Sequence, residues 1–206
     1  MSKEELEQIA AEVSICPRCN LCKTRTKAVP GEGNPGATIL FIGEGPGYHE
    51  DKQGRPFVGA AGQFLDELLA SIGVKRADVF ITNVVKCRTP ENRDPLPEEI
   101  SACAPYLDRQ IAAINPKVIV TLGRFSMQKF FPGERISSIH GRARKINGRI
   151  CVAMYHPAAG LHQASLRSTI VEDFKKITQA LAEAERLPES EKPKPQDDQP
   201  QQLSLF

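Results

Sequence analysis

Apolar residues gather in four short runs: Thr38–Ile42 (TILFI), Val79–Val85 (VFITNVV), Val118–Leu122 (VIVTL) and Ile150–Met154 (ICVAM). Each is rich in Ile, Val and Phe, and each is mostly continuous instead of alternating with polar residues. Such runs predict strands covered on both faces, as in a parallel sheet. Around them, apolar positions recur at helical spacing. Helices are predicted over Lys3–Ser14, Gly59–Ile72, Glu98–Ile114, Arg124–Phe131 and Ser168–Leu187. The second places Phe64, Leu65, Leu68, Leu69 and Ile72 on one stripe, and the last does so with Ile170, Phe174, Ile177 and Leu181. Pro105 is expected to kink the Glu98–Ile114 helix or to mark a restart after Ser101. Strands alternating with helices imply an α/β layered fold without internal repeats.

The pattern stops after Leu187. Residues 188–200, PESEKPKPQDDQP, hold four prolines and no apolar anchor, a composition that predicts a disordered linker. The last residues, QQLSLF, turn apolar again, as a peptide offered to a partner would. The expected organisation is one domain over 1–187, a linker over 188–201 and a peptide over 202–206. With 206 residues, 40% hydrophobic and 25% charged, the chain has the make-up of a soluble domain plus a tail. No apolar run reaches the length of a membrane span, and the polar start MSKEELEQIA is not a secretory signal. A cytoplasmic monomer with no membrane association is therefore expected.

A net charge of +2 does not by itself imply a nucleic-acid partner. Its distribution adds a little. Between Arg135 and Arg149 stand five basic residues (Arg135, Arg142, Arg144, Lys145 and Arg149) and no acidic one. Such a stretch can neutralise phosphates, or it can be an ordinary solvated hairpin.

In open α/β sheets, ligands sit beyond the carboxyl ends of parallel strands. The first strand is followed by Gly43-Glu44-Gly45-Pro46-Gly47, the second ends at Asn83, the third meets Gly123-Arg124, and the fourth runs into Tyr155-His156-Pro157. Parallel strands would bring these groups into one crevice. Glycines let backbone N–H donors approach a ligand. An Asn side chain reads the edge of a base. An imidazole donates to an oxygen on which charge develops, and a carboxylate positions water or steadies a cationic sugar. Phe57, in RPFVG, can stack on an extruded base. GEGPG is neither a dinucleotide fingerprint nor a Walker loop.

Six cysteines in a reducing compartment do not point to disulfides; metal binding and chance burial are the competing readings. Cys16, Cys19 and Cys22 form C-x2-C-x2-C, Cys87 and Cys103 lie far off, and Cys151 falls inside an apolar strand as a buried, inert thiol. Five candidates remain for four places. All-thiolate sites suit zinc or an iron–sulfur cluster, and spacing does not choose between them.

Taken together, Cys16-x2-Cys19, VPGEGNPGA, FIGEGPG, GRPFVGAAG, ITNVVKCR and YHPAA resemble family 4 uracil-DNA glycosylases over roughly residues 5–185. The resemblance implies a three-layer α/β/α fold with a central four-stranded parallel sheet. It implies a [4Fe–4S] cluster on Cys16, Cys19, Cys87 and Cys103, with Cys22 nearby but outside the ligand set. It also implies excision of uracil from DNA by hydrolysis, without a lyase step. In that family the pocket roles fall as follows: Gly43, Glu44, Gly45 and Gly47 around uracil; Phe57 stacked on it; Asn83 on its polar edge; His156 on O2. Glu44, Asn83 and His156 are then the catalytic residues, and Glu50 helps exclude the thymine methyl. Leu161 is the expected DNA wedge, although His162-Gln163-Ala164 stand where family members commonly carry Arg-Asn-Pro. Between the second strand and Cys103 there is no inserted basic loop ending in His, so a turnover enzyme is expected over a protein that traps uracil covalently. Separately, Gln202, Leu203, Ser204, Leu205 and Phe206 resemble the pentapeptide with which bacterial repair proteins bind the sliding clamp. A cluster-bearing DNA-damage binder and a zinc module that recruits the clamp are the competing readings.

Overall fold

The computed structural model describes residues 2–186; the linker and the clamp-like peptide expected at 188–206 lie outside them. Six strands form one sheet: β1 (Glu32–Gly33), β2 (Ile39–Gly43), β3 (Phe80–Asn83), β4 (Val118–Leu122), β5 (Ala143–Ile146) and β6 (Arg149–Met154), in the order β1-β3-β2-β4-β6-β5. The central four, β3-β2-β4-β6, are parallel, with Gly43 opposite Asn83 and Leu122 opposite Met154. They are the four strands that the apolar runs predict.

The expected four-stranded sheet is corrected to a mixed sheet of six, because β1 and β5 pair antiparallel at the two edges. Neither edge strand has an apolar signature: one is Glu-Gly, and the other, ARKI, is largely exposed. Polar edges discourage pairing with other chains, and that same polarity hides them from a hydrophobicity pattern. The basic stretch 135–149 thus ends in a hairpin. Its turn is Asn147-Gly148, both with positive φ (49° and 76°), the backbone that a two-residue hairpin turn requires.

Among the described residues there are eight α-helices: α1 (Ser2–Ser14), α2 (Tyr48–Gln53), α3 (Ala60–Ser71), α4 (Pro97–Ile114), α5 (Arg124–Gln128), α6 (Ile136–Ile139), α7 (Pro157–His162) and α8 (Ala164–Glu185). Strand side chains alternate between two cores. Leu40, Ile42, Phe80, Ile119 and Cys151 face α1 and α4. Phe41, Ile81, Val120 and Val152 face α3 and α8. Both faces are therefore apolar, which is why the strands read as continuous runs. The structure is three-layered, α/β/α.

Pro105 neither breaks nor restarts α4, which runs unbroken from Pro97 to Ile114. A proline removes the bond to the carbonyl four residues back, here Ser101. Ser101 and Pro105 are both exposed, so water can take that carbonyl and the helix continues. Across the same face, Arg109 of α4 holds Glu5 and Glu12 of α1.

After β2 the chain moves outward to β3 and then crosses back to β4 on the other side of β2. That reversal opens a crevice at the carboxyl end of β2.

Candidate active site

The crevice is a cleft of about 400 Å³, within the range of small-ligand sites. Its walls include Glu44, Gly45, Gly47, Glu50, Phe57, Asn83 and His156. Every one of these was expected at the site from the strand ends or from the resemblance. Gly43 lies beneath the floor, and a Cβ there would strike Asn83 Oδ1 and come within 2.7 Å of the Phe57 ring.

Phe57 is held in an unusual backbone state, with φ of 50°. A left-handed conformation in a bulky residue is costly and needs external support. Glu50 provides it, because its Oε1 accepts hydrogen bonds from Val58 N and Gly59 N, both 2.8 Å. Arg76 donates to the Phe57 carbonyl at 3.1 Å and to the Pro56 carbonyl. On α3, Gly62 leaves room for that carbonyl, which any Cβ would overlap. The ring is thereby fixed 5.5 Å from the His156 ring, at an interplanar angle of 25°.

Asn83 closes the floor. It is 1% exposed, and its Oδ1 has no hydrogen-bond partner. A buried acceptor left unpaired is costly, so a donor belonging to a ligand is the natural complement at this point of the cleft.

His156 caps the start of α7. Its Nδ1 accepts the Ala158 N–H at 3.2 Å, so a neutral ring carries its proton on Nε2. Burial pulls its pKa down to about 4 against the opposing charge of Glu50. The imidazole is therefore neutral and a donor at ordinary pH. Gly123, with φ of 93°, brings the end of β4 close, since a Cβ there would lie 3.2 Å from that of His156. Burial, and then the charge of Asp94, raise the pKa of Glu44, with Arg124 opposing.

Ala61, Val85 and Ala158 line the cleft from within the motifs of the resemblance, without having been expected as site residues, whereas Thr89, Asn92 and Pro95 lie outside every motif. These last three come from the loop between β3 and α4, which has no apolar periodicity. Its composition (Pro90, Asn92, Pro95) signals a turn but not a pocket wall. Glu91 and Asn92 both have positive φ, at 54° and 56°. An ion pair of Asp94 with Arg124 and one of Arg93 with Glu99 at 2.7 Å tie this loop down.

Leu161 lies outside the cleft, on α7, and is 41% exposed. The rest of the apparent basic stretch is dispersed: Arg144 pairs with Glu134, and the buried Arg149 donates to Asn115.

A second cavity lies on the α1–α4 side. Cys16, Cys19, Cys87 and Cys103 all line it, whereas Cys22 faces a separate surface groove. The fold thus gathers the distant Cys87 and Cys103 with the N-terminal pair. Among the described residues, no three Cys, His, Asp or Glu side chains converge closely enough to hold a single ion. Four thiols around one cavity are the donor set that an iron–sulfur cluster or zinc takes. Burial raises the pKa of Cys19, of Cys103, and of Cys87 to about 11, with Arg25 beside Cys87 opposing. Arg25 donates to the Cys87 sulfur at 3.1 Å. Cys151 is remote from this cavity and buried, its pKa pushed up to about 12.

Residues 30–182 match the uracil DNA glycosylase superfamily. Three type-4 uracil-DNA glycosylases are close in sequence. That of Sulfurisphaera tokodaii is 53% identical over 84% of each chain, that of Archaeoglobus fulgidus is 50% identical over 84% of this chain and 92% of its own, and that of Saccharolobus solfataricus is 49% identical over 87% and 88%. The chain belongs to the uracil DNA glycosylase superfamily. The cleft, with Gly43–Gly47, Asn83 and His156, lies within the part matched to the superfamily. Cys16, Cys19 and Cys22 precede it, while Cys87 and Cys103 fall inside. This superfamily member therefore carries its N-terminal cysteine segment outside the matched portion, joined to it through the second cavity.

Proposed function

We propose that this protein excises uracil from DNA, hydrolysing the N-glycosidic bond and leaving an abasic site. The observation that carries the reading is the unpaired, buried Asn83 Oδ1 at the floor of the cleft. Uracil offers an N–H at position 3 beside an acceptor at O4, matching an Asn that presents one acceptor and an amide donor. Cytosine reverses both groups and would leave buried polar atoms unpaired.

The rest of the site follows. The base leaves the duplex and stacks on Phe57. His156 Nε2–H donates to O2, where negative charge builds as the bond from N1 to C1′ breaks. Backbone around Glu44 and Gly45 contacts the base. Glu44, its proton affinity raised by burial, positions the water that adds to C1′. Glu50, besides anchoring Phe57, occupies the wall where a thymine methyl would sit. No lysine lines the cleft among the described residues, which favours a hydrolase without a lyase step. Leu161, apolar and exposed beside the site, is the wedge that enters the vacated stack.

Cys16, Cys19, Cys87 and Cys103 hold a [4Fe–4S] cluster that ties the N-terminal segment to the β3–α4 region. The domain occupies 1–187, and the terminal Gln202–Phe206 peptide binds a sliding clamp across a linker, raising the local concentration at DNA.

The test is incubation with labelled uracil-containing oligonucleotide, then alkali to cut abasic sites. Scission at uracil that is lost in Asn83→Ala supports the reading. Its absence in fully assembled protein leaves a binder of damaged DNA. Removal of residues 202–206 is expected to leave excision unchanged and to abolish clamp binding.

A further inference from the structure

The ITNVVKCR segment holds a lysine that the proposed mechanism does not use. Lys86 is 1% exposed. Its ammonium has three N–H donors and three partners: Thr82 Oγ1 at 2.7 Å, Gln110 Oε1 at 2.7 Å and the backbone carbonyl of Asn83 at 2.8 Å. The first two partners are themselves tied down. Thr82 Oγ1 donates to the Pro30 carbonyl at 3.0 Å, and Gln110 Nε2 donates to the same carbonyl at 2.7 Å. The network is closed, and its free end is Asn83.

A buried ammonium is an expensive way to fill space. An apolar side chain of similar length would fill the same volume without that cost, so the position needs a reason. The reason lies in the peptide group between Asn83 and Val84. Lys86 holds its carbonyl, while its N–H, on Val84, donates to the Gly43 carbonyl at 3.0 Å. Both polar ends of this one peptide are pinned at the point where β3 leaves the sheet. The Asn83 Cα, and with it the direction of the unpaired Oδ1, is fixed by that peptide. Lys86 also lines the cysteine cavity, so it stands between the two sites without reaching the cleft.

We propose that Lys86 is a positioning residue for base recognition, acting through the Asn83 carbonyl to aim the Asn83 side chain at the bound base. This rests on the uracil reading above. A misplacement of about 1 Å can slow an enzyme about a hundredfold, and the bond from Lys86 Nζ to the Asn83 carbonyl, at 2.8 Å, is the link that sets this position.

The experiment is a double-mutant cycle of Lys86→Met and Asn83→Ala in the full chain, with uracil release from an oligonucleotide and inhibition by free uracil as readouts. Lys86→Met is expected to lower kcat by roughly tenfold or more and to weaken free uracil by a similar factor, with the KM for DNA little changed. Asn83→Ala should then cost much less in the Lys86→Met background than in the parent, because residues acting as one unit are non-additive. If Lys86→Met fails to fold, Gln110→Leu, which removes one of the three partners, is read in the same cycle. Additive losses, or unchanged inhibition by uracil despite a lowered Tm, would overturn the proposal and leave Lys86 as a purely structural tie. Parent protein that releases no uracil at all would instead overturn the glycosylase reading.

Discussion

His156 shows how one side chain takes its properties from its place. In solution an imidazole titrates near 6.5, but here burial lowers that to about 4. The folded chain therefore binds fewer protons than the unfolded chain between those values, so the contribution of His156 to stability is present above pH 6.5 and lost as pH falls toward 4. Urea midpoints measured from pH 7.5 to 4 are expected to fall less steeply in His156→Leu than in the parent. For the same reason kcat should show no acid break near 6.5, since the neutral donor persists. A break at that value would mean that the ring is solvated and the assigned donor role is wrong. Gly43 is a second residue whose neighbours decide its meaning. A methyl group there meets Asn83 Oδ1 and the Phe57 ring. Gly43→Ala is expected to cut uracil excision by two orders of magnitude or more, by roughly the loss of one well-placed recognition contact plus the stacking surface, while circular dichroism remains that of the parent.

At the scale of elements, the segment between α2 and α3 is a strained loop anchored by Glu50 and by Arg76. Glu50 supplies acceptors to two successive N–H groups while Phe57 sits at φ of 50°. Glu50→Ala should destabilise the chain by about 1–3 kcal/mol and weaken free uracil as an inhibitor, because the stacking ring loses its support. Unchanged inhibition would show that Phe57 holds its place without Glu50. The cysteine segment invites a similar test. Replacing Cys19 by Ser is expected to abolish visible absorbance near 400 nm, whereas Cys22→Ser should retain it, since Cys22 does not line the cavity that the other four line. Loss of colour in both would widen the ligand set.

Elements also show which parts of the sequence were readable. The four central strands were legible because both of their faces are covered, which forces uninterrupted apolar runs. The edge strands β1 and β5 were not, because one is two residues long and the other is polar. The helix does not restart at Pro105, because the carbonyl that loses its partner belongs to the exposed Ser101.

For the whole molecule, cover on both sheet faces has a consequence for the cysteine cavity. α1 is held to α4 by Arg109 with Glu5 and Glu12, by the apolar contacts of Leu6, Ile9 and Val13, and, on the present reading, by the cluster. Removing iron with a chelator under mild oxidation should raise hydrogen exchange in residues 15–25 far more than in β2 or β4, whose bonds lie in the sheet centre. Equal exchange throughout would assign the cysteines no role in fastening the N-terminus.

The sequence by itself determined the α/β class, the four buried strands, the residues that follow each strand, and the candidate cysteines. These depend on local composition and period, which the chain carries within short windows. The tertiary structure alone decided which of those residues meet. It placed Asn83 with an unpaired acceptor, set the charge state of His156 by burial, brought Thr89, Asn92 and Pro95 to the cleft, and separated Cys22 from Cys16, Cys19, Cys87 and Cys103. Each of these depends on desolvation and distance between segments far apart in the chain. No local window contains those quantities, because they come into being only when the sheet order closes the crevice.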